Sequence, residues 1–280
     1  MVMFADDTTE LIRAMNIQEC CTTCERELND LRQEFAAHGL LLNESKTNLL
    51  VLNHRAVDAM PTITLGDIPL KPTPHARFLG VEIDSGLTWT PHVEQLSLKL
   101  HCNLFVVRRL SLVCNRKVAL QAFHSLIMSH IEYGILAWGG TSIANMTSIL
   151  KLQKRGIRHI LGLNYRDSCR SGFSELKILT APALYIYKCI LLVHESTVEI
   201  PRNGDTHSYN TRQRGEMRTD RHRLVACERA MPKQQGIRFI RKLPASLQDL
   251  VGNRDFPHKL KNYLTDKPLY TVDELGELTD

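Results

Sequence analysis

The residues best suited to chemistry stand near the amino terminus, in Phe4-Ala5-Asp6-Asp7. Two adjacent carboxylates at the tip of a strand–turn–strand offer the hard oxygen ligands that Mg²⁺ or Mn²⁺ prefers. A pair of such ions can activate a 3′-hydroxyl and neutralise a leaving pyrophosphate, which is the chemistry of nucleotidyl transfer. The same residues admit a plainer role. Asp7 could cap a following helix, with Glu10 three residues on completing a capping box.

A second group is basic. Lys151, Lys154, Arg155 and Arg158 recur at i, i+3, i+4 and i+7, one helix face, while Met146, Ile149, Leu150, Ile157, Ile160 and Leu161 supply a buried side. A basic face opposite an apolar one suits contact with a phosphate backbone without reading of sequence. The alternative is a solvated charged face, but no acidic residue stands between Thr147 and Tyr165. Trp138, Tyr165 and Tyr209 are candidate stacking surfaces, with Trp138 also a candidate core residue. Cys21-x-x-Cys24 has a spacing that zinc uses, yet it lacks a second pair and falls mid-helix, where small core residues are expected.

Charge is distributed unevenly. Residues 1–100 carry 8 basic and 14 acidic side chains, 101–261 carry 26 and 11, and 262–280 carry 1 and 5, within a net charge of +5. A strongly positive middle between acidic ends favours a polyanion partner for that middle. Hydrophobic residues at 43% and charged residues at 23% exclude a wholly disordered chain. The most apolar stretch, Ala183 to Val193, is interrupted by Lys188 and falls short of the ~20 residues a membrane span needs. No secretory signal is expected from Met1-Val2-Met3, and eight scattered cysteines suggest a reducing compartment.

The elements that must hold these groups follow from periodicity. Ile17, Cys21, Cys24, Leu28, Leu31 and Phe35 make one stripe of a helix that stops near Gly39. Leu40–Leu42 and Leu49–Leu52 read as strands around a polar turn. Ile63-Thr64-Leu65 and Ile68-Pro69-Leu70 read as a hairpin across Gly66-Asp67, and 78–83 as a further strand. Thr90-Pro91 opens a helix carrying Val93, Leu96, Leu100, Leu104 and Val107, closed by Arg108-Arg109. Further helices are expected at about 116–133, 145–161 and 182–195. Arg202, Arg212, Arg214, Arg218, Arg221, Arg223 and Arg229 crowd a stretch read as a loop or arm, followed by a unit built on Phe239, Leu243, Leu247, Phe256, Leu260 and Tyr263. The expected class is α+β, with a small antiparallel sheet plus helix over 1–86, a helical region over 87–199, an arginine-rich arm over 200–235 and a short terminal unit over 236–280.

Taken in order, several short motifs resemble the reverse transcriptase of non-LTR (LINE-type, jockey-like) retrotransposons. They are Phe4-Ala5-Asp6-Asp7, Leu40 to Thr47, Phe78-Leu79-Gly80, Asp84-x-x-Leu87-x-Trp89-x-x-His92, His130 to Gly134, Ala137-Trp138-Gly139-Gly140, Leu152-Gln153-Lys154-Arg155, Tyr209-Asn210-Thr211-Arg212 and Leu243-Pro244. The resemblance covers essentially the whole chain and implies a partial palm followed by a thumb. It implies that Asp6 and Asp7 are the catalytic, metal-binding pair and that Lys46 lies near the incoming nucleotide's phosphates; a solvated turn lysine is the alternative. It implies that Phe78, Leu79 and Gly80 form the primer grip, with a plain core strand as the other reading. The implied partners are an RNA template, a DNA primer and deoxynucleotides, with Mg²⁺ or Mn²⁺ as cofactor in the complete enzyme, no membrane and no defined protein partner. Family members work inside the cell, in cytoplasm or nucleus.

The family's palm draws another aspartate from an earlier strand, and only three residues precede Phe4. The expectation is therefore a carboxy-terminal fragment, inactive alone and holding no ion tightly. The rival readings are a catalytically dead nucleic-acid-binding module and a structural interaction protein with basic helices. His92, His130 and His207 stand out only through the resemblance. No hydrolase triad and no glycine-rich phosphate loop is present; Gly139-Gly140 reads as a turn.

Overall fold

A computed structural model describes residues 1–52, 62–66, 68–196, 217–219 and 231–277. Most of the arginine-rich stretch, with His207, Tyr209 to Arg212 and Cys227, lies outside the described residues. The chain is α+β and divides into two compact units, Met1–Thr88 and Trp89–Asp280.

The first unit holds helix α1 (Ile17–Ala37) and six short strands: β1 (Val2–Phe4), β2 (Asp7–Thr9), β3 (Ile63–Leu65), β4 (Ile68–Leu70), β5 (His75–Phe78) and β6 (Val81–Asp84). Among the described residues they pair as three separate antiparallel hairpins, β1–β2, β3–β4 and β5–β6, rather than as one sheet. Asn16 caps α1, its side-chain oxygen accepting the Glu19 N–H at 2.8 Å, and Gly39 follows the helix at φ 73°. The apolar stripe of α1 lies on the β3–β4 hairpin: Cys21, Ile63, Leu65 and Leu70 form a small core, with Ile17, Cys24 and Leu28 against it. The Thr64 N–H donates to Glu25 Oε1 at 3.0 Å and fixes the hairpin to the helix. Burial pushes the Cys24 thiol up to about 11 and raises Cys21 as well, so both are protonated packing groups.

Residues 40–42 and 49–52 are not strands. The Asn43 carbonyl accepts from the Lys46 N–H at 3.1 Å and the Thr47 hydroxyl at 3.0 Å, closing a 3₁₀ turn over Glu44–Lys46. The Leu40 N–H returns to the Phe35 carbonyl at 2.8 Å, so this run begins as the close of α1 rather than as a strand. A single parallel bridge, Leu49 to Pro72, remains.

The second unit is helical: α2 (Thr90–Val113), α3 (Arg116–Phe123), α4 (Ser129–Glu132), α5 (Ile135–Trp138), α6 (Ile143–Leu161), α7 (Arg170–Glu175), α8 (Ala181–Glu195), α9 (Pro232–Arg241), α10 (Ala245–Gln248) and α11 (Phe256–Asp266). Helix α2 starts on a left-handed Trp89 (φ 64°) instead of a Thr90 cap, and runs one turn past Arg109. Between α3 and α4 the backbone widens into a π-turn, His124–Met128, where Asn103 of α2 donates to the Leu126 carbonyl at 2.8 Å. Helix α9 begins at Pro232, inside the span read as arm, because proline is suited to a first helical turn.

Glycines let helices approach closely here. A Cβ on Gly156 would stand 2.3 Å from the Phe123 ring, so α6 and α3 touch through a missing side chain. A Cβ on Gly236 would stand 2.2 Å from the Cys189 carbonyl, which sets α9 against α8. Helix α8 is buried along nearly its whole length, from Ala181 through Val193, and this accounts for its apolar run. Among the described residues no helix is long and apolar enough to cross a membrane.

Gln153 is fully buried on α6. Its Nε2 donates to the Leu179 carbonyl at 2.8 Å, and its Oε1 accepts the Ala181 N–H at 2.9 Å. Gln153→Leu strands both backbone groups in an apolar core, each costing ~1–3 kcal/mol. The expected loss in urea unfolding is therefore ~2–6 kcal/mol, against a change near zero for the exposed control Lys151→Gln. An unfolding midpoint for Gln153→Leu equal to the native one would contradict this assignment.

Candidate nucleic-acid interface

The acidic pair sits on the β1–β2 hairpin, whose register pairs Phe4 with Asp7. Ala5 and Asp6 make the turn, with Ala5 in the left-handed region at φ 53°. Asp7 opens β2 and caps no helix; that role belongs to Asn16. Both carboxylates are exposed. No hydrogen bond or ion pair joins either carboxylate to Lys46 or to the Phe78–Gly80 turn among the described residues. Nor does any group of three His, Cys, Asp or Glu side chains come together to hold a metal ion. Two-metal transfer holds its ions ~3.5–4 Å apart on several carboxylates. Two solvated carboxylates on a tight turn do not by themselves make such a site.

Lys46 is exposed at the end of the 3₁₀ turn. Phe78, Leu79 and Gly80 are not part of one continuous strand. Leu79 (φ 46°) and Gly80 (φ 83°) form the two-residue turn between β5 and β6, as a hairpin twisted to match its strands requires. The buried side of β6 carries carboxylates: Glu82 and Asp84 are both buried, and His75 Nδ1 lies 3.3 Å from Glu82 Oε2. Asp84 accepts both the N–H and the hydroxyl of Thr88 at 3.0 Å, folding the turn that carries Leu87 at φ 51°. The sequence offered one signal for this, the Asp84-x-x-x-Thr88 spacing of a polar side chain closing its own turn.

Several other motif residues serve packing. Trp138 is fully buried, donates its indole N–H to the Tyr133 carbonyl at 2.9 Å and packs against His92 at 5.7 Å between ring centroids. A Cβ on Gly139 would meet the Tyr185 ring at 2.3 Å. Trp138 therefore offers no face to a ligand, whereas Tyr165 is 86% exposed.

The basic face of α6 divides along its length. Lys151 points to solvent. Lys154 lies with its ammonium 3.4 Å from the centre of the Tyr270 ring, which Arg170 also approaches at 4.4 Å. Burial, together with the neighbouring Arg158 and Arg170 charges, holds Lys154 below the ordinary lysine range. Arg158 donates to the Asp167 carbonyl at 3.1 Å, while its Nε is buried without a hydrogen-bond partner. Arg155 leans the other way, its Nη1 3.2 Å from His101 Nδ1 of α2. His159 completes that edge, held below its usual pKa by burial and by Arg108 and Arg155. The sequence stripe showed the four α6 cations but not His159 on the same helix, nor Arg108 and His101 of α2 and Arg170 of α7.

A titration follows from the histidines. Burial, with Lys261 nearby, also lowers His124. A group whose folded pKa lies below its unfolded value, ~6.5 for histidine, binds its proton more readily when unfolded. Stability is thus fully present above pH ~6.5 and is lost as pH falls through the folded pKa values. The urea midpoint is expected to drop between pH 7.5 and pH 5. That drop should shrink in the His124→Gln/His159→Gln double variant, where carboxylate effects are unchanged. An equal drop in both proteins would contradict the assignment.

No protein-family model matches the chain, and no solved structure does. Over 195 residues, 64% of this chain, it is 23% identical to a Drosophila melanogaster protein described as "Probable RNA-directed DNA polymerase from transposon X-element". The match takes in 20% of that protein's length. The chain is similar in sequence to the RNA-directed DNA polymerase of a transposable element.

Proposed function

We propose that these residues form the carboxy-terminal part of a non-LTR, jockey-like retrotransposon reverse transcriptase. Residues 1–86 are the latter part of the palm, 87–199 the thumb, 200–235 a basic arm and 236–280 a closing unit. The observation that carries this reading is the 195-residue similarity to a transposon polymerase. It is supported by Asp6 and Asp7 at the tip of a two-stranded hairpin and by the cations gathered on α6.

In the complete enzyme Asp6 and Asp7 contribute ligands to Mg²⁺ or Mn²⁺, which supplies the charge stabilisation for nucleotidyl transfer. Lys46 faces the nucleotide's phosphates, and the Leu79–Gly80 turn lets backbone approach the primer end. Lys151, Lys154, Arg155 and Arg158 hold the template–primer backbone. Working inside the cell on element RNA, the enzyme takes deoxynucleotides as substrate.

Alone, the 280 residues bind nucleic acid without polymerising it. Two exposed carboxylates with no third ligand group beside them among the described residues favour this second reading for the isolated chain. Positioning of reactants accounts for ~7–11 kcal/mol of a barrier, so a partial site loses nearly all activity. An RNA template annealed to a labelled DNA primer tests both statements. Binding followed by anisotropy should weaken steeply with salt, and the Lys151/Lys154/Arg155/Arg158 quadruple glutamine variant should lower the slope by up to ~0.9 per lost duplex phosphate contact. Primer extension with Mg²⁺ or Mn²⁺ should match the Asp6→Ala/Asp7→Ala control. Extension seen only with the native chain would make it a minimal polymerase, and an unchanged salt slope would remove α6 from the interface.

A further inference from the structure

We infer that Tyr165, with Arg158 and Arg166, forms a stacking step for single-stranded nucleic acid at the carboxy-terminal end of α6. This rests on the polyanion-binding reading of α6 and adds which form of nucleic acid that end of the helix takes.

The loop is built to present the ring. Helix α6 stops at Gly162 in the left-handed conformation (φ 65°), and the Leu163 N–H returns to the Arg158 carbonyl at 3.0 Å. The Asn164 N–H then donates to the Asp167 carboxylate at 2.8 Å, and Arg158 donates to the Asp167 carbonyl at 3.1 Å. Tyr165 stands on this closed turn almost wholly in water, its ring centre 5.7 Å from the Arg158 guanidinium carbon. A large aromatic ring held on a fixed turn and left exposed gains nothing from the core, but offers a π-face that any base can cover.

The surrounding charge selects the partner. Arg158 stands beside the ring, Arg166 follows it in an exposed position, and Lys154 and Arg170 lie behind, around Tyr270. The two nearby carboxylates are already committed, Asp167 to the Asn164 N–H and Glu274 to Arg170 at 2.9 Å. Four cations, Lys154, Arg158, Arg166 and Arg170, outnumber the two carboxylates, as a phosphate chain running past a stacked base requires. In a duplex the bases are already stacked on one another, so Tyr165 could contribute only through a single strand, a frayed end or a loop.

The test uses the full chain, since Tyr165 lies outside the core and its replacement leaves packing intact. Binding of a labelled 12-nucleotide RNA strand and of a blunt duplex of the same sequence is compared for native, Tyr165→Phe and Tyr165→Ala proteins. Tyr165→Ala is expected to weaken the single strand by roughly 5- to 150-fold, with duplex affinity and both salt slopes unchanged; Tyr165→Phe should bind as the native chain does. A Tyr165→Trp variant should show emission quenched by the single strand beyond any change in the native protein. Single-strand affinity unaffected by Tyr165→Ala, or equal losses on both nucleic acids, would overturn the stacking step. A native chain that binds neither oligonucleotide would instead sink the polyanion reading, and this inference with it.

Discussion

One buried amide orders the helical unit. Gln153 lies in the middle of α6 with no solvent to satisfy it, so its two polar atoms must find partners where the chain brings them. They find the Leu179 carbonyl and the Ala181 N–H, at the entry to α8. This pins α6 by rotation as well as by distance, because a primary amide has a donor side and an acceptor side. With the buried side so fixed, Lys151 and Arg155 face solvent while Lys154 and Arg158 lie half-buried at its edge. Gly156 strengthens the constraint: its missing side chain lets the Phe123 ring close on the helix. The placement of these cations is thus a consequence of core chemistry one or two residues away from them.

The helices were legible because their apolar spacing was long and regular. Val93, Leu96, Leu100, Leu104 and Val107 are buried, as their period requires, and the α6 stripe is buried from Met146 to Ile160. The short elements were harder to read. Leu40–Leu42 has the composition of a strand, but the Leu40 N–H turns back to the Phe35 carbonyl at the end of α1. Phe78 to Ile83 is continuous in hydropathy, and only backbone angles at Leu79 and Gly80 divide it. A non-glycine residue at positive φ leaves little trace in a sequence, and the same holds for Ala5 in the acidic hairpin. On α2 the period concealed a second feature: Leu98, Phe105, Leu112 and Val113 are exposed on the sides that the core stripe leaves over.

The candidate site was legible in part. Spacing gave the four cations of α6, yet contacts divide them between two neighbourhoods, Tyr270 with Arg170 on one edge and His101 with His159 on the other. No spacing rule joins residue 154 to residue 270. The motif residues Trp138, Gly139 and Gln153 have physical explanations in packing, so their presence speaks for the fold of the helical unit rather than for contacts with a ligand. Asp6 and Asp7 have the opposite character. They are exposed and make no side-chain contact that would explain them structurally among the described residues.

The proposed function puts polyanion on the α6 face and the loop after it, residues 151–170. Hydrogen–deuterium exchange of the full chain with and without a single-stranded RNA tests it most directly, since a docked strand shields backbone amides and rigidifies the loop that presents Tyr165. Slowed exchange is expected centred on 162–170 and the last turns of α6, with little change over the β1–β2 hairpin. Protection centred on residues 1–9, with 151–170 exchanging as in the free chain, would contradict it.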